Sequence, residues 1–236
     1  MQIDRNFQQG QLLLDPAQLN LTYLKSFLCY PAERELPDYV QSFLSTAVLP
    51  RLAVTPVRYQ YRLLPVKKHL ERNHTIELSA GPGKFVFQGP VIYQLLKDCS
   101  HCLVFLLNLA GTIEDDPLQA FLSYSSFNSI LQTALDLFKK EIIQILSLSE
   151  PGLTRRFAPG YCGWAIQEQQ KILSLLDPAA MGVHLTTAQM LDPPHSLTGV
   201  YGLRRDVKHT EKIPCYTCTS VTCSVHLDFP KHNSVV

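Results

Sequence analysis

Residues 102–148 read CLVFLLNLAGTIEDDPLQAFLSYSSFNSILQTALDLFKKEIIQILSL, and two different periods lie within them. Cys102 to Leu109 is a nearly unbroken apolar run bounded by polar residues, which predicts a central strand buried on both faces. The run ends in Asn108-Leu109-Ala110-Gly111-Thr112, where glycine permits close backbone approach. From Ser129 to Leu148 the apolar positions 130, 131, 134, 135, 138, 142, 145 and 146 recur at helical spacing. That spacing predicts an amphipathic helix of about five turns.

Upstream, Ile76-Glu77-Leu78 and Phe85-Val86-Phe87 flank Gly81-Pro82-Gly83, which predicts two strands joined by a tight turn. The turn lacks the spacing of a phosphate-binding loop and leads into a strand, not a helix. Residues 1–65 read as short helical runs, such as Tyr39-Val40 with Phe43-Leu44 and Val48, interrupted by prolines 16, 31, 37, 50 and 56. Downstream, 149–163 reads as a loop and Ala165 to Leu176 as a second helix. Val183-His184-Leu185 and Ser196 to Leu203 read as strands around a Pro193-Pro194 turn. The order of elements lacks the regular strand-helix alternation of a doubly wound fold. It predicts the α+β class: a single domain with a largely antiparallel twisted sheet flanked by helices.

Composition narrows the function. The 236 residues are 46% hydrophobic and 17% charged, with a formal net charge of +1. A chain of that length and balance can bury a substantial core. The near-neutral charge gives no basis for nucleic-acid binding, which needs a clustered basic surface. No apolar span approaches the ~20 residues of a membrane helix, and MQIDRNFQQGQ lacks the features of a signal peptide. A cytoplasmic protein is expected, with its seven cysteines reduced.

The turn Arg156-Phe157-Ala158-Pro159-Gly160-Tyr161 stands directly before the second helix. An arginine fork there suits a carboxylate, Pro159 stiffens the loop, and Gly160 lets a ligand come close to the backbone. The same composition also describes an ordinary surface loop with a packed tyrosine.

This RxxPGY turn followed by a helix is similar to the AdoMet-binding signature of the activation domain of cobalamin-dependent methionine synthase. The family continues with Gly-x-x-Leu-Thr-Glu-Ser, a methionine, a proline and a Ser-x-Ser-Gly strand. Here Gly182-Val183-His184-Leu185-Thr186-Thr187-Ala188, Met190, Pro193 and Ser196-Leu197-Thr198-Gly199 follow in the same order. The resemblance is carried by roughly residues 150–203, with Asn108-Leu109-Ala110-Gly111 a weaker match upstream. Thr187-Ala188 replaces the family's Glu-Ser and removes a carboxylate, and the first 70 residues match weakly.

The resemblance implies a domain over 1–207 and a cysteine-containing tail over 208–236. It implies that Arg156 binds the carboxylate of S-adenosylmethionine (AdoMet), with Ala158, Gly160 and Tyr161 offering backbone contacts. It implies an acid on the long helix for the cationic side of the ligand, with Asp136 nearest the matching position and Glu141 second. The implied activity is reductive reactivation: a cobalamin on a partner methyltransferase accepts an electron, from a donor such as flavodoxin, and then the AdoMet methyl group. No side chain then acts as acid, base or nucleophile, in keeping with the absence of a recognisable catalytic constellation. A different class of reading is an interaction module for a corrinoid or metal protein that no longer binds AdoMet.

The tail carries Cys215-x2-Cys218-x4-Cys223-x2-His226. These ligand types could hold zinc or contribute to an iron–sulfur cluster, act as a redox thiol pair, or remain unliganded. Cys99-Ser100-His101-Cys102 could complete a four-cysteine site with Cys215 and Cys218, but Cys102 opens the apolar run and reads as a buried thiol. His184 and His195 read as surface or packing residues.

Overall fold

The computed structural model describes residues 7–81, 84–110, 116–147 and 152–204. Its strands are β1 (Gln8–Leu12), β2 (Val57–Leu70), β3 (Thr75–Ser79), β4 (Lys84–Gln88), β5 (Cys99–Leu109), β6 (His184–Leu185), β7 (Leu191–Asp192) and β8 (Ser196–Arg204). Its α-helices are α1 (Leu21–Phe27), α2 (Asp38–Phe43), α3 (Leu49–Leu52), α4 (Pro90–Leu96), α5 (Pro117–Ile145) and α6 (Glu168–Ser174). A π-helical turn, Leu44–Val48, joins α2 to α3.

The main sheet has the order β4-β3-β2-β5-β8, with β1 also paired to β2, and every pairing is antiparallel. The α+β class with a largely antiparallel sheet is therefore as the sequence predicts. β5 is central, paired along its length with β2 and β8, and Cys102 to Leu107 are fully buried. Alternation along the strands sends Leu103, Phe105, Leu107 and Tyr201 to the face covered by α5, α1 and α2. Cys102, Val104 and Val200 go to the face covered by α4 and α6. None of the described helices is long and apolar enough to cross a membrane.

Two elements depart from the sequence reading. The 14-residue β2 replaces part of the supposed helical region. Val57, Tyr59, Tyr61 and Leu63 on one phase are apolar or aromatic, while Arg58, Gln60 and Arg62 on the opposite phase are half-buried or buried despite their polarity. The long helix starts at Pro117, 12 residues before Ser129. Ser123, Ser125, Ser126 and Ser129 are buried within it, and small polar side chains on a packed face hide the apolar period.

Those serines have a positioning role. Asn20, the N-cap of α1, donates its backbone N–H to Thr133 Oγ1 at 3.2 Å, and its carbonyl accepts from Ser129 Oγ at 3.2 Å. α1 is thereby locked against α5 at one fixed register.

His195 anchors the turn between β7 and β8. Its side chain is 1% exposed, its ring packs edge-on against Phe127 at 4.5 Å, and neither ring nitrogen has a hydrogen-bond partner. Burial lowers its pKa from the ordinary 6.5 to about 4. The unfolded chain therefore takes up a proton between about pH 6.5 and pH 4 that the folded chain refuses, so stability falls as pH falls through this window. The loss reaches about 3 kcal/mol at most. Melting midpoints measured from pH 7 to pH 4 should drop less in His195→Leu than in the native chain. Equal drops would show that His195 is not the group responsible.

Candidate functional site

The segment after α5 returns along the free edge of β8. Thr154 N–H bonds the Gly202 carbonyl at 2.8 Å, and Phe157 and Val200 exchange backbone bonds at 3.0 and 2.8 Å. Three steps along this edge thus oppose two along β8, so Arg155 and Arg156 together face Tyr201 as a bulge. Gly202 is required there, because a Cβ would sit 2.5 Å from Cys99 Sγ and 2.9 Å from Thr154 Cγ2. Phe157 turns inward to the α6 side, while Arg156 is set on the α5 side with Tyr201.

Beyond the bulge the chain closes on itself. Gly160 N–H bonds the Trp164 carbonyl at 2.8 Å and Trp164 N–H bonds the Tyr161 carbonyl at 2.9 Å. Gly160 has φ +90°, which favours glycine, and a Cβ there would meet Ile166 Cδ1 at 3.1 Å. Trp164 is 1% exposed, stacks on Phe157 with ring centroids 5.5 Å apart and an interplanar angle of 9°, and meets Phe87 edge-on at 5.3 Å. The turn is therefore braced from inside the core.

On the facing helix Asp136 is exposed and accepts a hydrogen bond from Tyr23 Oη at 2.8 Å. The register locked by Asn20 accounts for this, since Tyr23 and Asp136 each lie three residues beyond a partner in that lock. Burial, then the hydrogen bond and charge of Asp136, push the Tyr23 phenol up to about 12, while Arg156 acts in the opposite direction. Tyr201, 3% exposed and stacked on Phe105 at 5.3 Å, is raised by burial, lowered by Arg156, and raised again by Asp136 and Tyr23. One cation, one carboxylate and two phenols thus share a single electrostatic neighbourhood. Arg156 and Asp136 do not close into an ion pair with each other, and Arg156 has no hydrogen-bond partner among the described residues.

Arg156 and Asp136 thus act on the same two phenols. Tyr161 is 49% exposed in the turn, and Ala158 is buried. The Gly160 N–H is spent inside the turn, and that of Tyr161 makes a long 3.4 Å bond to the Ala158 carbonyl. Glu141 is engaged elsewhere: it accepts from Tyr59 Oη at 2.7 Å, five residues and more than a third of a helical turn's rotation away from Asp136. Sequence reasoning missed Tyr23 and Tyr201. Tyr201 could have been found from strand alternation, since it shares a phase with Leu197 and Gly199 in the predicted strand; Tyr23, 113 residues from Asp136, left no signal.

Cys215, Cys218, Cys223 and His226 lie outside the described residues. Among the described residues no group of three or more His, Cys, Asp or Glu side chains could hold a metal ion. Cys102 is fully buried and its thiol pKa is raised by burial and then by Cys99, which fits an inert core cysteine. His184 is a surface residue, 2.9 Å from Asp192. A concavity of about 590 Å³ lies elsewhere, between the first helices, and its lining includes Leu19, Leu36 and Leu44. It contains none of the charged pair described above.

The fold is that of a mixed domain built on an antiparallel sheet, with Arg156, Asp136, Tyr23 and Tyr201 sharing one electrostatic neighbourhood on its α5 side. Among solved structures it is similar to the crystal structure of the MetH reactivation domain bound to AdoHcy. The TM-score is 0.59 at 14% sequence identity, over 87% of this chain and 80% of that one. At that identity the likeness concerns the fold. No family model matches the chain, and no curated protein matches it.

Proposed function

We infer that this chain binds AdoMet in the cleft between the Arg156–Tyr161 turn and Asp136. The observation that carries the reading is that Arg156 and Asp136 act on the same two tyrosines, Tyr23 and Tyr201, without forming an ion pair with each other. AdoMet presents a carboxylate at one end of its amino-acid portion and an ammonium and a sulfonium close by. A cation and an anion held near each other, but not neutralising each other, complement that pattern. The likeness of the fold to a reactivation domain bound to AdoHcy supports the same ligand class.

The wider role is AdoMet-dependent reactivation of a cobalamin-dependent methyltransferase of the methionine synthase type, with the corrinoid on a partner protein and an electron supplied by a donor such as a flavodoxin. In that role this chain contributes positioning. Arg156 fixes the carboxylate, Asp136 faces the cationic side, and the turn backbone steadies the remainder so that the methyl group is presented outward. Zinc or an iron–sulfur cluster on Cys215, Cys218, Cys223 and His226 belongs to the same reading.

Isothermal titration of the full chain with AdoMet and with AdoHcy tests ligand binding. Saturable heat at one site per chain is expected, and no heat from folded protein at millimolar ligand overturns the proposal.

A further inference from the structure

A second site is suggested on the opposite face of the sheet by a row of side chains on β2. Arg58, Gln60 and Arg62 alternate along the strand, so all three project to the same side, successive ones about 6.6 Å apart. Arg62 is paired with Val104 and Gln60 with Leu106, which puts the row on the face away from Tyr201 and Arg156.

The first member of the row is tied to neutral acceptors. Arg58 Nη2 donates to Asn108 Oδ1 at 3.1 Å and to the Met181 carbonyl at 2.6 Å. The other two are not. Gln60 is 1% exposed and Arg62 6% exposed, and Gln60 Nε2 and Arg62 Nη1 are buried with no hydrogen-bond partner. The Gln60 amide orientation is fixed, because its Oε1 accepts the Asp177 backbone N–H at 2.9 Å. The nitrogen left over is therefore a donor. No carboxylate among the described residues lies within ion-pair distance of Arg62. A buried cation and a buried amide donor, both unsatisfied and adjacent, leave several kcal/mol of desolvation uncompensated.

We propose that Gln60 and Arg62 form a buried site for a small monocarboxylate on the α6 side of the sheet. A guanidinium fork matches the two oxygens of a carboxylate, and the Gln60 amide reaches a remaining lone pair. Arg62 is the one charged member of the Gln60–Arg62 pair, and a single negative charge matches it. The neighbouring Leu64, Val104 and Leu106 are buried and apolar and offer no further polar group, so the proposal is for the smallest carboxylates, formate and acetate.

The test is the melting midpoint of the full chain in sodium acetate against sodium chloride at equal ionic strength and neutral pH. A rise of about 4 °C in acetate is expected for a site well saturated by its ligand. The rise should persist in Arg156→Ala, which removes the cation of the other cleft, and vanish in Arg62→Met. Gln60→Glu supplies a carboxylate beside Arg62 from within the chain; it should raise the midpoint by itself and abolish the acetate response, and it decides the matter if Arg62→Met does not fold. An equal midpoint in both salts, a response that survives Arg62→Met or Gln60→Glu, or one lost in Arg156→Ala overturns the proposal.

Discussion

Arg156→Ala is expected to weaken AdoMet binding about 10- to 100-fold while leaving the fold intact. The guanidinium is half-buried on the bulge opposite Tyr201 and has no hydrogen-bond partner among the described residues. A charge-assisted bond to a ligand carboxylate contributes about 1.5–3 kcal/mol, which is the stated range of affinity. Removing a side chain with no such partner should shift stability by no more than about 0.5 kcal/mol. Arg156→Lys keeps the charge but not the fork, and should recover only part of the loss. Titration calorimetry and a denaturant melt on the same three proteins separate the effects. Unchanged affinity in Arg156→Ala would remove this residue from the site.

Trp164→Ala should have the largest effect on stability of any change near the turn. The indole is 1% exposed, sandwiched by Phe157 and met edge-on by Phe87, and its N–H has no hydrogen-bond partner. Packing alone holds it, and truncating a buried tryptophan costs about 3–5 kcal/mol. The backbone carbonyl that accepts from Gly160 remains, but the side chain fixing its position does not. Trp164→Ala should therefore lower the denaturation midpoint and also weaken the ligand, whereas Trp164→Phe, which leaves a ring for Phe157 to face, should do less of both. Urea melts monitored by circular dichroism provide the check; a midpoint unchanged in Trp164→Ala would mean that the turn is braced by something else.

The parts of this molecule legible in its sequence are those in which chemistry and periodicity agree. β5 is apolar on both phases because both its faces are covered, and the second half of α5 shows a plain helical stripe. The β3–β4 pairing also falls where two alternating runs flank Gly81. β2 was obscured because its inward-facing residues on one phase are Arg58, Gln60 and Arg62, and a polar residue is read as exposed until its surroundings are known. The first half of α5 was obscured by buried serines, one of which, Ser129, bonds the Asn20 carbonyl at the start of α1.

For the candidate site, the motif resemblance singled out Arg156 and an acid on α5, and Asp136 acts with Arg156 on Tyr23 and Tyr201 whereas Glu141 is bonded to Tyr59. The phenols were not legible in the same way. Tyr23 reaches Asp136 only because Asn20 is fastened to Ser129 and Thr133, a relation between segments more than a hundred residues apart.

The bulge at Arg155–Arg156 has one more consequence. It sets neighbouring residues on opposite sides of the sheet edge: Arg156 lies on the side of Tyr201 and Phe157 faces Trp164. Trp164 is the one tryptophan in the chain, and its ring stacks directly on Phe157. Arg156 is thus covalently joined to the residue that stacks on the chain's one tryptophan, so a displacement of the bulge would be transmitted to that ring pair.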